Sequence, residues 1–427
     1  MRPSSFASPR LLALVLALAA GCGPAAAAET VRIACSGLGQ ELELCRSESA
    51  QWARETGNAV EVVPMPADAT QQLQQFDAGL VKGSQLDVIQ VDVAQVGLLA
   101  GRLLDLTPYA HGAEKLDFPG MLSNSLVRGR LMAMPWFIDG GLLYYRKDLL
   151  NRYHQPVPRT WADLRAIAGT VQAGERAAGN GRMWGYVWQG RAYEGLTCDG
   201  LELMAAYGAG TIVDPAGNVT VGNPATVKAF SMLAGFVGTI SPPAVLDYSE
   251  SESLAQFMAG NAVFMRNWPY AWAASQAARS AVRDKVGVAA LPMGDGPAAR
   301  HAAALGGQEL AVSKFSSHPA LAASLVMYLT GEDVQRRRAI RASFNPTIRG
   351  LYLDSEVLIA NPFTSSLQQV FANAVARPTS ITGAKYGEVS AAFYQSLHDV
   401  LAHADTPESA VLKLNVRLTQ LQNAGGW

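Results

Sequence analysis

Residues 31–92 carry three short runs: VRIAC (31–35), AVEVV (59–63) and LDVIQV (86–91), with Asp92 closing the last. Each is apolar and rich in β-branched residues, as strands are. Between them, the segment from Gln40 and the segment 71–81 have helical spacing, the first with Leu42, Ala50 and Trp52 expected to face inward. Strand, helix, strand, helix, strand predicts an α/β fold whose parallel sheet is joined by crossover helices. Ligands of such sheets sit beyond the carboxyl ends of the strands. Two acids fall there: Glu41, after the turn at 36–39, and Asp92. Asp92 also reads as a helix N-cap. The two roles are expected to coexist, each on its own carboxylate oxygen.

Outward from this unit, 427 residues exceed one small domain, so two lobes are expected. A net charge of -1 gives no basic excess for nucleic acid. The N-terminus reads as an export signal over residues 1–28. Arg2 and Arg10 precede the apolar run 11–20, which is too short to span a membrane. Cleavage before a lipidated Cys22, or after the Ala26-Ala27-Ala28 triplet, both fit, and either way the mature protein is exported. Export permits disulfides. Cys35 and Cys45 are near enough in sequence to close a small loop, and Cys198 is left over as a small buried hydrophobe. No Cys/His grouping has zinc spacing, and no cofactor is implied.

Residues 265–272 read M-R-N-W-P-Y-A-W. Trp268, Tyr270 and Trp272 alternate around Pro269, which suits neither a helix interior nor a central strand. Flat rings with polar tips make a recognition surface. The plain alternative is a core corner, but Arg266 and Asn267 would then need burial and partners, which favours recognition. Elsewhere Phe137 and Asp139 precede Gly140-Gly141, where the chain is expected to change lobes. Gly306-Gly307 interrupts the strand expected over 304–312, a sign of close approach to the backbone. Arg377 precedes Pro378, which pushes it into extended geometry and toward a cleft.

Five stretches add up to a family pattern: 134–150 (MPWFIDGGLLYYRKDLL), 184–199 (WGYVWQGRAYEGLTCD), 261–272 (NAVFMRNWPYAW), 305–314 (LGGQELAVSK) and 373–378 (NAVARP). The chain resembles the extracellular solute-binding proteins of sugar-importing ABC transporters (family 1), and within them the trehalose/maltose-binding branch. The resemblance implies a two-lobed type II periplasmic-binding-protein fold with an interlobe cleft and a three-segment hinge. It implies one lobe from 29–138 and 268–315 and the other from 139–267 and 316–427. It places ligand contacts on Glu41, Asp92, Asp139, Trp268, Tyr270, Gly306 and Arg377, with Phe137 at a cleft position for an aromatic. The implied ligand is an α-linked glucose disaccharide, trehalose or maltose. The implied partners are ABC permease subunits, and the protein is expected to be a monomer in the periplasm or at the cell envelope.

Two positions depart from the pattern. Gln308 stands where a Trp follows the Gly pair, and residues 71–75 (QQLQQ) lack the expected Arg. Both bear on which sugar is bound. Another solute, such as sucrose or a polyamine, is a rival reading, although Arg266 and Arg377 near the cleft oppose a cation. A secreted glycoside hydrolase is a further rival, but no acid/nucleophile pair stands in a recognisable context.

Overall fold

The computed structural model describes Met1 and residues 28–427 apart from Leu38, Ala67, Asp68, Ser84 and Asn373. Residues 2–27 of the expected export signal, Cys22 among them, lie outside the described residues. The first unit is β1 (Thr30–Ser36), α1 (Gly39–Thr56), β2 (Ala59–Met65), α2 (Ala69–Gly79) and β3 (Val88–Asp92). β1 runs parallel to both β2 and β3. Two more strands complete this sheet: β4 (Met134–Gly140) and, much later, β9 (Leu305–Val312), giving the order β2-β1-β3-β9-β4. β9 is antiparallel to both neighbours. Both faces are covered. Val31, Ile33 and Cys35 pack with Leu44, Cys45 and Trp52 of α1, while Ala34, Ile89 and Val91 pack with Phe76 and Leu80 on the other face. Double coverage is why β1 and β3 read as nearly continuous apolar runs, while β2, at the sheet edge, keeps Glu61 exposed. On α1, Leu44 and Trp52 are buried, whereas Leu42 and Ala50 are only half-buried.

The second sheet holds β5 (Leu142–Arg146), β6 (Trp184–Val187), β7 (Ala262–Asn267) and β8 (Val286–Ala290), in the order β8-β5-β7-β6. Around it lie α3 (Trp161–Ala177), α4 (Glu194–Ala206), α5 (Pro224–Ala234), α6 (Glu250–Met258), α10 (Tyr386–Leu401) and α11 (Pro407–Asn423). Local chemistry starts several of these helices. The Thr160 hydroxyl accepts from the Asp163 N–H at 3.0 Å, and the Asp163 carboxylate accepts from the Thr160 N–H at 2.9 Å. Asn223 caps α5, and Pro224 and Pro407 occupy first-turn positions that need no N–H donor. α4 is buried along nearly its whole length, so its acids Asp199 and Glu202 require partners inside the lobe.

The division of the chain between lobes differs from the sequence expectation at two places. β8, inside the block 268–315, pairs with β5 in the second sheet. Helices α7 (Pro319–Leu329) and α8 (Glu332–Ala342), inside 316–427, belong with the first: Leu325, Val326, Leu329 and Ala342 pack in the cluster holding Ile33 and Trp52. A VGVAA strand carries no mark of its pairing partner, and α7 follows β9 directly, folding back over the sheet it has just left.

Three segments cross between the lobes side by side. Only Gly141 separates β4 from β5. Leu305 pairs with Gly140, and its N–H donates to Val375 O at 2.9 Å, while the Val375 N–H donates to Ala303 O at 2.8 Å. Helix α9 (Thr364–Ala372) leads into that third crossing. A Cβ on Gly141 would lie 2.0 Å from Glu202 Oε1, so only glycine admits the buried carboxylate. Gly141→Ala is expected to cost about 2–4 kcal/mol in denaturant unfolding, through displacement of a paired buried charge; a loss below 0.5 kcal/mol would show that the crossing yields freely.

Cys35 and Cys45 are disulfide-bonded, joining the end of β1 to α1 one turn beyond Glu41. Cys198 is free and buried. The paired Cys35→Ser/Cys45→Ser variant should lose about 2–3 kcal/mol of unfolding free energy, the entropy of a short closed loop.

Candidate functional site

The carboxyl end of β3 and the facing ends of β4 and β9 form one wall of an interlobe cavity. Register aligns it: Gln308 sits between Asp92 of β3 and Phe137 of β4, and Gly306 sits opposite Asp139. The β9 bulge between Gln308 and Glu309 breaks the regular pairing there. Gly307 adopts φ 123°, and a Cβ on it would meet Phe137 O at 2.2 Å. The other wall comes from α4, α6 and the segment after β7. All nine positions singled out in the sequence line this cavity of about 210 Å³: Glu41, Asp92, Phe137, Asp139, Trp268, Tyr270, Gly306, Gln308 and Arg377. Residues 71–75 do not line it.

The 265–272 motif divides in two. Arg266 and Asn267 are both buried with partners, so the premise that burial would leave them wanting fails. Arg266, 1% exposed, pairs with Glu202 through Nη2 at 2.5 Å and Nε at 3.0 Å, with Asp199 at 2.9 Å and with Gln189 at 3.1 Å. Burial opposes its charge, but Asp199 and Glu202 outweigh that and hold it well above the usual arginine range. Asn267 donates to Glu250 O at 3.1 Å and accepts from the Trp268 N–H at 2.8 Å. Trp272 packs edge-on against Phe363, away from the cavity. Of the three rings, Trp268 and Tyr270 line the cavity, both half-buried.

Trp268 is fixed on several sides. The Arg266 guanidinium lies 3.9 Å from its ring centroid, its Nε1 donates to Glu250 Oε1 at 3.1 Å, and Tyr144 OH donates to its carbonyl at 2.8 Å. A Cβ on Gly306 would come within 2.9 Å of its ring, which is the close approach that the Gly pair signalled.

Arg377 reaches the cavity as expected, but two of its donors are engaged. Nη2 bonds Asp92 Oδ1 and Nη1 bonds Glu194 Oε1, each at 2.8 Å. The guanidinium thus ties the end of β3 in one lobe to the start of α4 in the other. Asp92 Oδ1 also accepts the Ala94 N–H at 2.8 Å. The next helix begins at Val96 behind Gln95, so Asp92 closes a turn instead of capping that helix, and the turn and the ion pair share one oxygen rather than taking one each.

Burial pushes Glu41 up to about 7, against a hydrogen bond from Gln90 and the charge of Arg338. Burial, with Glu41 and Asp92 nearby, pushes Asp139 up to about 8, against Arg266 and Arg338. The Cys198 thiol is driven far up by burial and is no nucleophile. Sequence reading missed Glu250, Arg191, Ser249 and Phe344 as cavity residues. Glu250 carries a usable signal, being the first helical residue after the capping-box Ser249. Among the described residues no group of three or more His, Cys, Asp or Glu could hold a metal, and no helix is long and apolar enough to cross a membrane.

Residues 46–336 match the family described as bacterial extracellular solute-binding protein. The chain belongs to that family. A probable ABC transporter-binding protein of Deinococcus radiodurans is 46% identical over 97% of this chain and 98% of its own. Maltose-bound MalE3 of T. maritima is 37% identical, with a TM-score of 0.85 over 92% of this chain and all of that one. The GacH receptor of Streptomyces glaucescens, at 22% identity and a TM-score of 0.78 over 92% and 98%, shares the fold. This solute-binding protein is therefore a type II periplasmic-binding-protein fold and the binding component of an ABC transporter, not an enzyme. Its family places it outside the cytoplasmic membrane.

Asp139 gives a pH prediction. Between the ordinary carboxylate range and about 8 the folded state binds more protons than the unfolded chain, so stability falls as pH rises through that window. Asp139→Asn removes the term. Its Tm should exceed that of the unsubstituted protein by several degrees at pH 9 and by little at pH 5. An equal shift at both values would mean that the carboxyl is not the cause.

Proposed function

We propose that this solute-binding protein captures an α-linked glucose disaccharide, maltose or trehalose, in the interlobe cavity and hands it to the permease of an ABC importer. The observation that carries the reading is the convergence of three carboxylates, Glu41, Asp92 and Asp139, on a cavity walled by Trp268 and Tyr270. A sugar offers apolar C–H faces to rings and hydroxyl donors to carboxylates. Gln308 adds an acceptor: its Oε1 is buried with no hydrogen-bond partner among the described residues, so a ligand hydroxyl would satisfy it. That gives the departure from the family pattern a use, an amide acceptor in place of a stacking ring. The maltose in the MalE3 structure, at 37% identity, supports the same class. Such a site rejects analogues that lack a hydroxyl, because a buried acceptor would be left unpaired.

Binding would draw the two sheets together across the three crossings and present one closed surface to the permease. The protein acts as a monomer, exported by its N-terminal signal and held at the envelope if Cys22 is lipidated.

Titration calorimetry with maltose, trehalose, sucrose, glucose and spermidine tests the reading. One α-glucose disaccharide should bind saturably and spermidine should not. Trp268→Ala should weaken that sugar by about 2 kcal/mol or more, on the order of 30-fold, with Tm little changed. Binding of spermidine alone would replace the sugar reading with a polyamine one.

A further inference from the structure

Helix α8 carries three consecutive arginines with three different fates. Arg336 pairs with Glu332, Asp333 and Asp354, and Arg337 pairs with Glu48 at 2.7 Å. Arg338 is 1% exposed, and none of its three nitrogens has a hydrogen-bond partner among the described residues. It shares the helix face of Val334 and Ala342, both buried, so an apolar side chain is what that stripe calls for. A buried cation without a carboxylate partner is costly.

What surrounds it is aromatic. The guanidinium carbon lies 3.7 Å from the ring centroid of Trp136, 4.9 Å from Phe344 and 5.1 Å from Phe137. A weakly hydrated, delocalised cation suits such faces better than an ammonium would. Phe137 and Phe344 are in mutual contact at 4.8 Å, and their other sides line the cavity. Arg338 thus stands directly behind the cavity wall, insulated from the ligand by two rings.

We propose that Arg338 is a positioning residue of the sugar site: caged by rings instead of carboxylates, it favours the charged forms of Glu41 and Asp139 from behind the wall without taking up any of their oxygens, which stay available to sugar hydroxyls apart from the Glu41 Oε1 that Gln90 holds. An arginine placed inside the cavity would bond those carboxylates itself, as Arg377 bonds Asp92 and Glu194. The charges that face it agree with this role. Glu41, Glu48 and Asp139 act on Arg338, and Glu48 is already engaged by Arg337 and Arg341. Asp139 further faces Glu41, Asp92 and Arg266, while Glu41 faces Gln90 and Arg338. Burial lowers Arg338 to about 9, which leaves it charged at neutral pH.

The proposal rests on the sugar reading, and its test separates the two. Maltose affinity is measured from pH 5.5 to 9.5, from about 1.5 units below the Glu41 transition to about 1.5 units above that of Asp139. The unsubstituted protein should bind more tightly as pH rises and the two acids lose protons. In Arg338→Met the same rise should come about one pH unit or more higher, with affinity at pH 7 down roughly tenfold and recovered at alkaline pH. Arg338→Lys should restore part of the shift, and Arg338→Gln serves if the Met variant does not fold. Weakening by one constant factor at every pH, or no change, overturns the proposal.

Carboxyl carbon NMR of the ligand-free protein reads the same charge without sugar, with signals assigned by Glu41→Gln and Asp139→Asn. Upward-shifted titrations in Arg338→Met alongside no maltose binding would retire the substrate and keep the role of Arg338. Unshifted titrations overturn that role whatever the sugar does.

Discussion

A guanidinium buried between two carboxylates holds the rest of the structure in place. Arg266 meets Glu202 and Asp199 inside the second lobe, and each charge would be untenable there alone. Glu202 also accepts the Ala304 N–H at 3.1 Å, just before β9 crosses back to the first sheet, and its carboxylate excludes any side chain from position 141. On its other side Arg266 underlies the ring of Trp268. One ion cluster therefore fixes two of the three crossings and the main aromatic wall of the cavity. Side-chain contacts thus link the crossings to Trp268.

Much of this was legible in the sequence because local chemistry wrote it there. The largely apolar runs 31–35, 59–63 and 86–91 became β1, β2 and β3; β1 and β3 are covered on both faces, and β2, at the sheet edge, keeps Glu61 exposed. Capping at Thr160, the Gly pair at 140–141 and the Pro after Arg377 each act within a few residues, so each could be read. The cavity positions came from the family pattern, and the structure gathers them at one place.

The rest depends on remote partners. The strand 286–290 looks the same whichever sheet it joins, and only its pairing with β5 assigns it. Arg266 and Asn267 read as surface groups because Asp199, Glu202 and Ser253 lie far away in sequence and give no local sign of meeting them. Arg338 is concealed in the same way. In a run of three arginines nothing local says that the third turns inward among rings from β4 and the 343–345 segment.

The cavity emerges as an acidic, ring-walled space whose positive charges are engaged: within it Arg377 on two carboxylates and Arg191 over the Tyr193 ring, and behind its walls Arg266 on two more carboxylates and Arg338 on ring faces. Such a space favours a neutral ligand rich in hydroxyl donors. A crystal structure of the protein grown with maltose tests this most directly. The account predicts a sugar ring against Trp268, with hydroxyls on Asp139, Glu41 and Gln308 Oε1. Maltose bound elsewhere on the surface, with the cavity wall untouched, would contradict it.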